Sequence, residues 1–193
     1  PVLEEDIALA NMSLDLIGQA RMLYQHAATS YAPTLVASRT ALPPEGAELA
    51  RGGPSLRSPA GAPITEDSLA YFRDAQDFRN FTLLELPHSS TASERDYAVT
   101  IVRNFLYSAF MLLQWEALQT SSDAQLAGIA GKSLKEVRYH FRHSRDWLLR
   151  LGDGTAESHA RTQAALNQLL PYTAEFWADA VSLRTRWDER VND

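Results

Sequence analysis

The sequence contains no cysteine among its 193 residues. This absence excludes disulfide bonds, cysteine-ligated iron–sulfur clusters and catalysis by a thiol. If the protein takes part in redox chemistry, its electrons must therefore come from a separate protein. A chain without disulfides also fits a reducing compartment, and we expect a cytoplasmic location.

Long apolar runs and an excess of basic residues are missing as well. No uninterrupted stretch of about 18 apolar residues occurs, so the sequence predicts no membrane-spanning helix. The formal net charge is −6, whereas a protein that binds nucleic acid without sequence preference needs a basic face to displace counterions. The sequence therefore predicts neither a membrane protein nor a nucleic-acid binder.

Three motifs of common enzyme classes are also absent. The sequence has no Gly-x-Ser-x-Gly elbow, no Walker phosphate loop and no Gly-x-Gly-x-x-Gly turn. It therefore gives no sign of a serine hydrolase of that type, a P-loop nucleotidase or a dinucleotide-binding enzyme.

Apolar residues at spacings of three and four predict an all-α protein. Five helices are expected, which begin near Glu4, Thr65, Ser93, Ser122 and Glu157. The first should end near Ala28, and one apolar stripe runs along it: Ile7, Ala10, Leu14, Ile17 and Tyr24. Successive helices with mostly short links predict an up-and-down bundle that forms a single domain over residues 1–193.

Residues 33–63 are predicted to form a long loop between the first two helices. They contain six of the nine prolines and four of the nine glycines. Proline removes amide donors and glycine costs backbone entropy, so a regular helix is not expected there. The segment is either a flexible surface excursion or an arm that contacts a partner.

Particular residues predict where the other helices begin and end. Thr65 has the side-chain oxygen of an N-cap, and Pro87 should end the helix that follows it. Ser93 and Ser122 each begin a polar segment suited to the start of a helix. Gly152 suits the left-handed position after a helix, and Pro171 should kink the last helix.

The sequence contains an incomplete set of metal ligands. Di-metal bundles place a carboxylate on each of two helices and a Glu-x-x-His pair on each of two others. The ligand-like positions here are Asp15, Asp77, Asn80, Glu85, Glu116, Glu136 and His140. Asn80 stands where a histidine is required, and His140 follows Glu136 by four residues instead of three. We therefore predict no metal, no other cofactor and no catalytic residue in this chain.

The same residues also have structural interpretations. Asp15 could be a buried acid paired with a cation such as Arg21. Glu116 lies at the end of an apolar stripe, where an acid usually emerges into solvent. A further stripe follows the fourth helix: Glu136, His140, His143 and Trp147.

This stripe in the fourth helix is interpreted as a polar seam or a contact surface, with His140, His143 and Trp147 as the interface candidates. A basic run accompanies it: Arg138, Arg142, Arg145 and Arg150. These arginines could form a solvated face, or they could meet an acidic partner or a CoA phosphate.

Two long segments resemble a known family. They are residues 6–21, DIALANMSLDLIGQAR, and residues 135–155, KEVRYHFRHSRDWLLRLGDGT. Shorter matches are YFRD at 71–74, ELP at 85–87 and YTAEF at 172–176. On these segments the chain is similar to the structural subunits of phenylacetic acid degradation monooxygenases, which belong to the ferritin-like proteins.

The resemblance implies a ferritin-like fold and a scaffolding role beside a homologous catalytic subunit that holds the di-iron centre. The complex would convert phenylacetyl-CoA to its ring-1,2-epoxide with O2, and a separate NADPH-dependent reductase would supply the electrons. This chain would have no cofactor of its own, and in isolation it could form a homodimer. It departs from the family in lacking about one helix before Pro1, in a short link over 181–187 and in a longer proline-rich loop.

Two other interpretations stay open. The chain could be an active di-metal oxygenase that uses a variant ligand set: Asp15, Asp77, Glu116, Glu136 and His140. It could also be a helical interaction module with no link to oxidation. Metal content distinguishes the first alternative, and the proteins that co-purify with the chain distinguish the second.

Overall fold

The computed structural model describes residues 2–40, 64–73, 78, 80–87 and 95–178, and for residues 30–40 it describes the backbone alone. The helices are α1 Leu3–Thr40, α2 Glu66–Tyr71, α3 Thr82–Glu85, α4 Tyr97–Leu118, α5 Ala124–Gly152, α6 Ala156–Leu169 and a 3-10 helix Leu170–Trp177. No strand occurs in these ranges, so the prediction of an all-α protein is confirmed. None of the helices described is long and apolar enough to cross a membrane.

The chain divides into two compact units, Pro1–Phe78 and Arg79–Asp193. The first unit contains α1 and α2, and the second contains α3 to α6 with the 3-10 helix. A single domain over the whole chain stays a prediction.

Helix α1 is longer than the sequence indicated. It was expected to end near Ala28 but continues to Thr40, so residues 33–40 are helical and the predicted loop over 33–63 starts too early. A proline inside a helix removes one hydrogen bond and can bend the helix without ending it. The rest of the predicted loop, residues 41–63, lies outside the described residues.

The predicted second helix is wrong beyond its first two turns. Thr65 is the N-cap as expected, and it forms a capping box with Ser68. The helix ends at Tyr71, and the next helix among the described residues begins at Thr82, whereas residues 74–77 and 79 lie outside the described residues. Arg73 gives a physical reason, because its Nε donates to the Leu69 carbonyl oxygen at 2.6 Å while its guanidinium lies 4.2 Å from the Phe78 ring centroid.

The same arginine connects α2 to α1 within the first unit. Arg73 Nη2 donates to the Tyr24 hydroxyl at 3.1 Å. A second link joins Gln25 Nε2 to Glu66 Oε1 at 3.0 Å, with Arg21 Nε 3.5 Å from the same oxygen. The hydrogen bond from Gln25, supported by the charge of Arg21, lowers the pKa of the Glu66 carboxyl below its usual range.

The second unit is built on the antiparallel pair of α4 and α5. The direction follows from contacts such as Phe105–Phe141, stacked at 5.5 Å, and Glu116–Arg138, because the partner number falls as the α4 number rises. Helix α6 packs on both. The buried core consists of Leu83, Ala98, Val99, Val102, Phe110, Ala165, Leu169 and Phe176.

Local side chains determine where α4, α5 and α6 begin. Asp96 accepts from the Ala98 amide at 2.9 Å and Asp123 from the Leu126 amide at 3.0 Å. Thr155 and Ser158 form a capping box at the start of α6. The predicted start near Ser93 is therefore three residues early, and Ser93 itself lies outside the described residues.

Two glycines close the turn between α5 and α6. Gly152 was expected in a left-handed position, but it is the last helical residue of α5 and Asp153 is the C-cap. The prediction is wrong because Asp153 closes the helix with a backbone N–H bond to the Leu149 carbonyl, so no left-handed residue is needed. Gly154 is required for another reason: a Cβ there would lie 2.8 Å from Ser158 Oγ and 2.9 Å from the Arg150 carbonyl oxygen.

The α6 helix changes to a 3-10 helix at Leu170, and Pro171 lies in its first turn, whereas the kink at Pro171 stays a prediction. This 3-10 helix supplies the cap of α3. Glu175 accepts from the Thr82 amide at 2.8 Å and from the Thr82 hydroxyl at 2.6 Å. A carboxylate from a distant segment thus replaces the missing side-chain cap at Phe81.

Candidate functional site

The stripe predicted along α5 lies partly inside the protein. His140 is 5% exposed, whereas Glu136, His143 and Trp147 are half-buried. His140 has too little exposed surface to contact another protein directly in this structure. A contact surface on α5 would consist of His143, Trp147 and their exposed neighbours.

Aromatic and basic side chains surround this stripe at the surface. Tyr139 lies with its ring centroid 6.0 Å from that of His143, and the Arg142 guanidinium lies 6.0 Å from the Tyr139 centroid. Trp147 contacts Tyr97 of α4 edge-to-face at 5.7 Å. Such rings with adjacent guanidinium groups are typical of protein contact surfaces.

The buried stripe of α5 shares His140 with the predicted polar stripe, but Val137 and Ser144 are buried in place of Glu136 and His143. Its members are Ser133, Val137, His140 and Ser144, which follow each other at spacings of four, three and four. Ser144 Oγ donates to the His140 carbonyl oxygen at 2.8 Å and lies 3.4 Å from Ser108 Oγ on α4. These serines were not predicted from the sequence, although extending the stripe from His140 through Val137 reaches Ser133.

Buried polar atoms of α4 and α5 that have no hydrogen bond among the residues described include Trp115 Nε1 and Ser133 Oγ. Trp115 is also almost completely buried. Buried polar groups of this kind reduce stability unless they are satisfied.

The other ligand-like positions do not converge. Glu116 is exposed, and its Oε1 lies 3.4 Å from Arg138 Nη2. Asn80 is exposed and donates from Nδ2 to Glu85 Oε1 at 3.1 Å. Asp15 is half-buried on α1 in the first unit.

The prediction that the chain binds no metal stays a prediction, because Asp77 lies outside the described residues. Within the ranges that the structure does describe, no three histidine, aspartate or glutamate side chains are grouped so that they could hold a metal ion.

Burial changes the acidity of two side chains on α4. Arg103 donates from Nη2 to the Leu86 carbonyl oxygen at 2.7 Å, and its burial lowers the pKa of the guanidinium. Burial raises the pKa of the Tyr107 hydroxyl. Tyr107 packs against the hydrophobic core, so this shift reports on the core and not on a reactive group.

A cavity of about 380 Å³ lies where α4 and α6 begin. Its charged lining residues are Arg95, Asp96, Glu157 and Arg161. Arg161 Nη1 lies 3.9 Å from Asp96 and its Nη2 2.7 Å from Glu157. Charges of both signs line the cavity in equal number, so it does not select an anion.

Almost the whole chain is similar in sequence to known proteins. Residues 1–191 match the family model described as phenylacetic acid catabolic protein. The chain is 39% identical over 184 residues to the C subunit of 1,2-phenylacetyl-CoA epoxidase of Escherichia coli (strain K12), and the match covers 95% of this chain and 60% of that protein. The chain thus spans about 60% of this relative's length.

A second match is short. It is 79% identical over 28 residues to cobyric acid synthase of Polaromonas sp. (strain JS666 / ATCC BAA-500), and it covers 14% of this chain and 6% of that protein. Because so little of either sequence is involved, this match carries no argument about fold or function.

Proposed function

Because the chain belongs to the family of phenylacetic acid catabolic proteins, we propose that it is a structural subunit of a multicomponent oxygenase in the cytoplasm. That oxygenase epoxidises the aromatic ring of phenylacetyl-CoA in phenylacetate catabolism. This chain supports a homologous di-iron catalytic subunit, and a separate reductase delivers the electrons. The observation that carries the proposal is the family match over residues 1–191, together with the identity to a subunit of 1,2-phenylacetyl-CoA epoxidase.

The chemistry of the ligand-like positions supports a structural role over a catalytic one. A di-metal centre needs several carboxylates and two imidazoles that converge inside the bundle. Glu116 is instead at the surface beside Arg138, and Asn80 offers an amide that donates to Glu85. The described residues therefore do not fit a di-iron site, and no reaction step is assigned to this chain.

The proposed role is indirect. A catalytic subunit keeps its metal ligands and substrate pocket in a fixed geometry only if the helices around them are held rigidly. The second unit has the properties of a rigid support, because Phe110 and Phe176 stack at 4.4 Å and Glu175 ties the 3-10 helix to α3. The surface of the same unit around Tyr139 and Arg142, which is rich in aromatic and basic residues, is suited to binding another subunit.

Turnover by reconstituted components tests the proposal. The chain is expressed alone and with its homologous catalytic subunit, and each preparation is supplied with phenylacetyl-CoA, NADPH and the reductase. We expect no product from the chain alone and epoxide from the complex. Product from the chain alone would overturn the structural role.

Matched variants separate support from catalysis within the complex. Glu116→Gln and Glu136→Gln each remove the charge from a ligand-like position at nearly constant shape. If the chain is a support, turnover per complex stays unchanged in both variants. Loss of turnover with intact assembly would place these carboxylates in the reaction and favour the di-metal oxygenase alternative.

A further inference from the structure

A second cavity, which we call the α5–α6 cavity, has a volume of about 210 Å³ and lies at the C-terminal end of α5. Leu148, Leu149 and Leu166 supply apolar side chains to its lining. The other lining residues are Gly152, Asp153, His159, Thr162 and Gln163. All of them belong to α5, to α6 or to the turn between these helices, so the cavity is formed within the second unit alone.

Two polar side chains of the cavity already donate to acceptors of this chain. Thr162 Oγ1 donates to the Ser158 carbonyl oxygen at 2.8 Å. Gln163 Nε2 donates to Asn167 Oδ1 at 2.9 Å. The side-chain carbonyl of Gln163 remains as an acceptor, since an amide has both a donor and an acceptor end.

The ring of His159 is oriented by a backbone hydrogen bond. Its Nδ1 donates to the Gly152 carbonyl oxygen at 2.8 Å. Because a carbonyl oxygen can only accept, Nδ1 carries the proton of the neutral imidazole and Nε2 is left with a lone pair. Nε2 has no hydrogen bond to the described residues, so it is a second acceptor for a ligand.

The α5–α6 cavity has a negative electrostatic character. The Asp153 carboxylate lines it and has no hydrogen bond or ion pair with the described part of the chain. The carbonyl groups at the C-terminal end of α5 add a partial negative charge. Arg150, the basic residue of this last turn, lies instead 5.3 Å from the Trp147 ring centroid and does not line the cavity. A cation is therefore favoured over an anion.

The number of acceptors indicates the kind of cation. The Asp153 carboxylate, His159 Nε2 and Gln163 Oε1 are three acceptors, and a primary ammonium group has three N–H donors. The three leucines suit an apolar body beside the charge. An apolar cavity of about 150 Å³ is large enough for benzene, so this cavity has room for one ring and a short substituent.

We propose that the α5–α6 cavity binds a small primary amine with an apolar body, in its ammonium form. The ammonium group donates to Asp153, His159 and Gln163, and the apolar body packs against the leucines. This inference uses only residues of α5, α6 and their turn. It does not depend on the proposed function, so either can fail without the other.

Titration of the full chain with benzylammonium tests the ligand class. We expect saturable shifts of the amide NMR signals of Gly152 and Asp153, with a dissociation constant on the order of 1 mM for so small a ligand. Benzyl alcohol keeps the ring without the charge, and methylammonium keeps the charge without the ring. Each should bind more weakly by about threefold or more. Benzoate carries the opposite charge and should not bind.

Asp153→Asn tests the charge. The backbone N–H of Asp153, and not its side chain, closes α5, so the variant should fold. Glu157→Gln is the matched control, because it removes an equal charge nearby from a residue that lines the other cavity. The dissociation constant of benzylammonium should rise by about threefold to tenfold in Asp153→Asn and stay unchanged in Glu157→Gln.

Gly152→Leu tests the location by filling the cavity. A Cβ at Gly152 meets nothing within 4 Å, so a larger side chain can occupy the space beside it. Gly128→Leu is the matched control, because Gly128 is equally open but lies elsewhere on α5. We expect the saturable shift of the Asp153 amide to disappear in Gly152→Leu and to persist in Gly128→Leu.

Several outcomes would overturn the inference. The absence of a saturable shift in the wild type would do so, as would equal affinities for benzylammonium and benzyl alcohol. Both results come from the wild-type chain and need no variant to fold. Equal effects of Asp153→Asn and Glu157→Gln, or undiminished binding to Gly152→Leu, would also reject the site, once circular dichroism shows that these variants are folded.

Discussion

Three buried serines at α4 and α5 differ in how their hydroxyl groups are satisfied. Ser144 Oγ donates to the His140 carbonyl oxygen and lies near Ser108 Oγ. Ser133 Oγ has no hydrogen bond with any residue in the described part of the chain. Ser133 and Ser144 are both 0% exposed, so the two positions differ in hydrogen bonding and not in burial.

Alanine at each position should therefore change stability in opposite directions. Ser133→Ala removes an unsatisfied buried hydroxyl and should raise the free energy of unfolding by about 1 kcal/mol. Ser144→Ala removes a satisfied hydroxyl and should lower it by about 1 kcal/mol. The gain in helix propensity is the same for both, so urea unfolding curves compare them directly. A loss of stability in Ser133→Ala would contradict this assignment.

The raised pKa of Tyr107 predicts a lower free energy of unfolding at alkaline pH. Because burial raises the pKa of its hydroxyl in the folded protein, the unfolded chain loses this proton first as the pH rises. The stability due to Tyr107 is complete below about pH 10 and is lost as the pH rises through the folded-state pKa.

Tyr107→Phe should abolish this part of the pH dependence. At neutral pH the free energies of unfolding of the variant and the wild type should differ by a constant. Above about pH 10 the wild type should lose stability relative to the variant. The neutral range is the internal control, because it contains the packing effect alone. A difference that stays constant at all pH values would show that Tyr107 ionises equally in both states.

At the scale of elements, the turn between α5 and α6 depends on close backbone approach. Gly154 is adjacent to the Arg150 carbonyl oxygen and to Ser158, whose hydroxyl belongs to the capping box of α6. A backbone atom cannot move as easily as the end of a flexible side chain. The turn therefore requires glycine at 154 because of space and not because of an unusual backbone conformation.

Gly154→Ala should lower the free energy of unfolding by about 1 to 3 kcal/mol, because the new Cβ overlaps these atoms. Gly152→Ala is the control, since a Cβ at 152 meets nothing within 4 Å. Within a helix, alanine is better than glycine by up to about 1 kcal/mol, so this control should be neutral or stabilising. Thermal unfolding measures the stability of the two variants. Equal losses of stability in both would reject the steric explanation.

The elements differ in how far the sequence predicts them. The helix starts at Thr65 and Asp123 are predictable because the capping side chain accepts a hydrogen bond from an amide only three residues away. The end of α2 is not, because it depends on where the Arg73 side chain lies, and Arg73 contacts Tyr24, far away in the sequence, as well as Leu69 and Phe78. Periodicity places Val137 among the apolar residues of α5, but it does not show that Glu136 beside it is half-buried while His140 is almost completely buried.

The residues of the candidate site also differ in how far the sequence predicts them. His140 was recognisable because it lies near the apolar residues of α5, but its almost complete burial depends on how the chain packs as a whole. The pairing of Glu116 with Arg138 likewise depends on the register between α4 and α5. No local pattern contains that register, so sequence reasoning could identify the ligand-like residues without showing that they do not converge.

At the scale of the whole molecule, the proposed structural role requires a surface that binds another subunit. Among the described residues, the surface of α5 around Tyr139 and Arg142 is suited to this. The central claim is that this chain contributes structure to an oxygenase and leaves the metal chemistry to a partner.

Iron content tests that claim most directly. The chain is expressed with added iron, alone and together with its homologous catalytic subunit, and each purified preparation is analysed for metal. The account predicts iron in the complex and none in the isolated chain. About two irons per chain in the isolated protein, the content of a di-metal site, would contradict it.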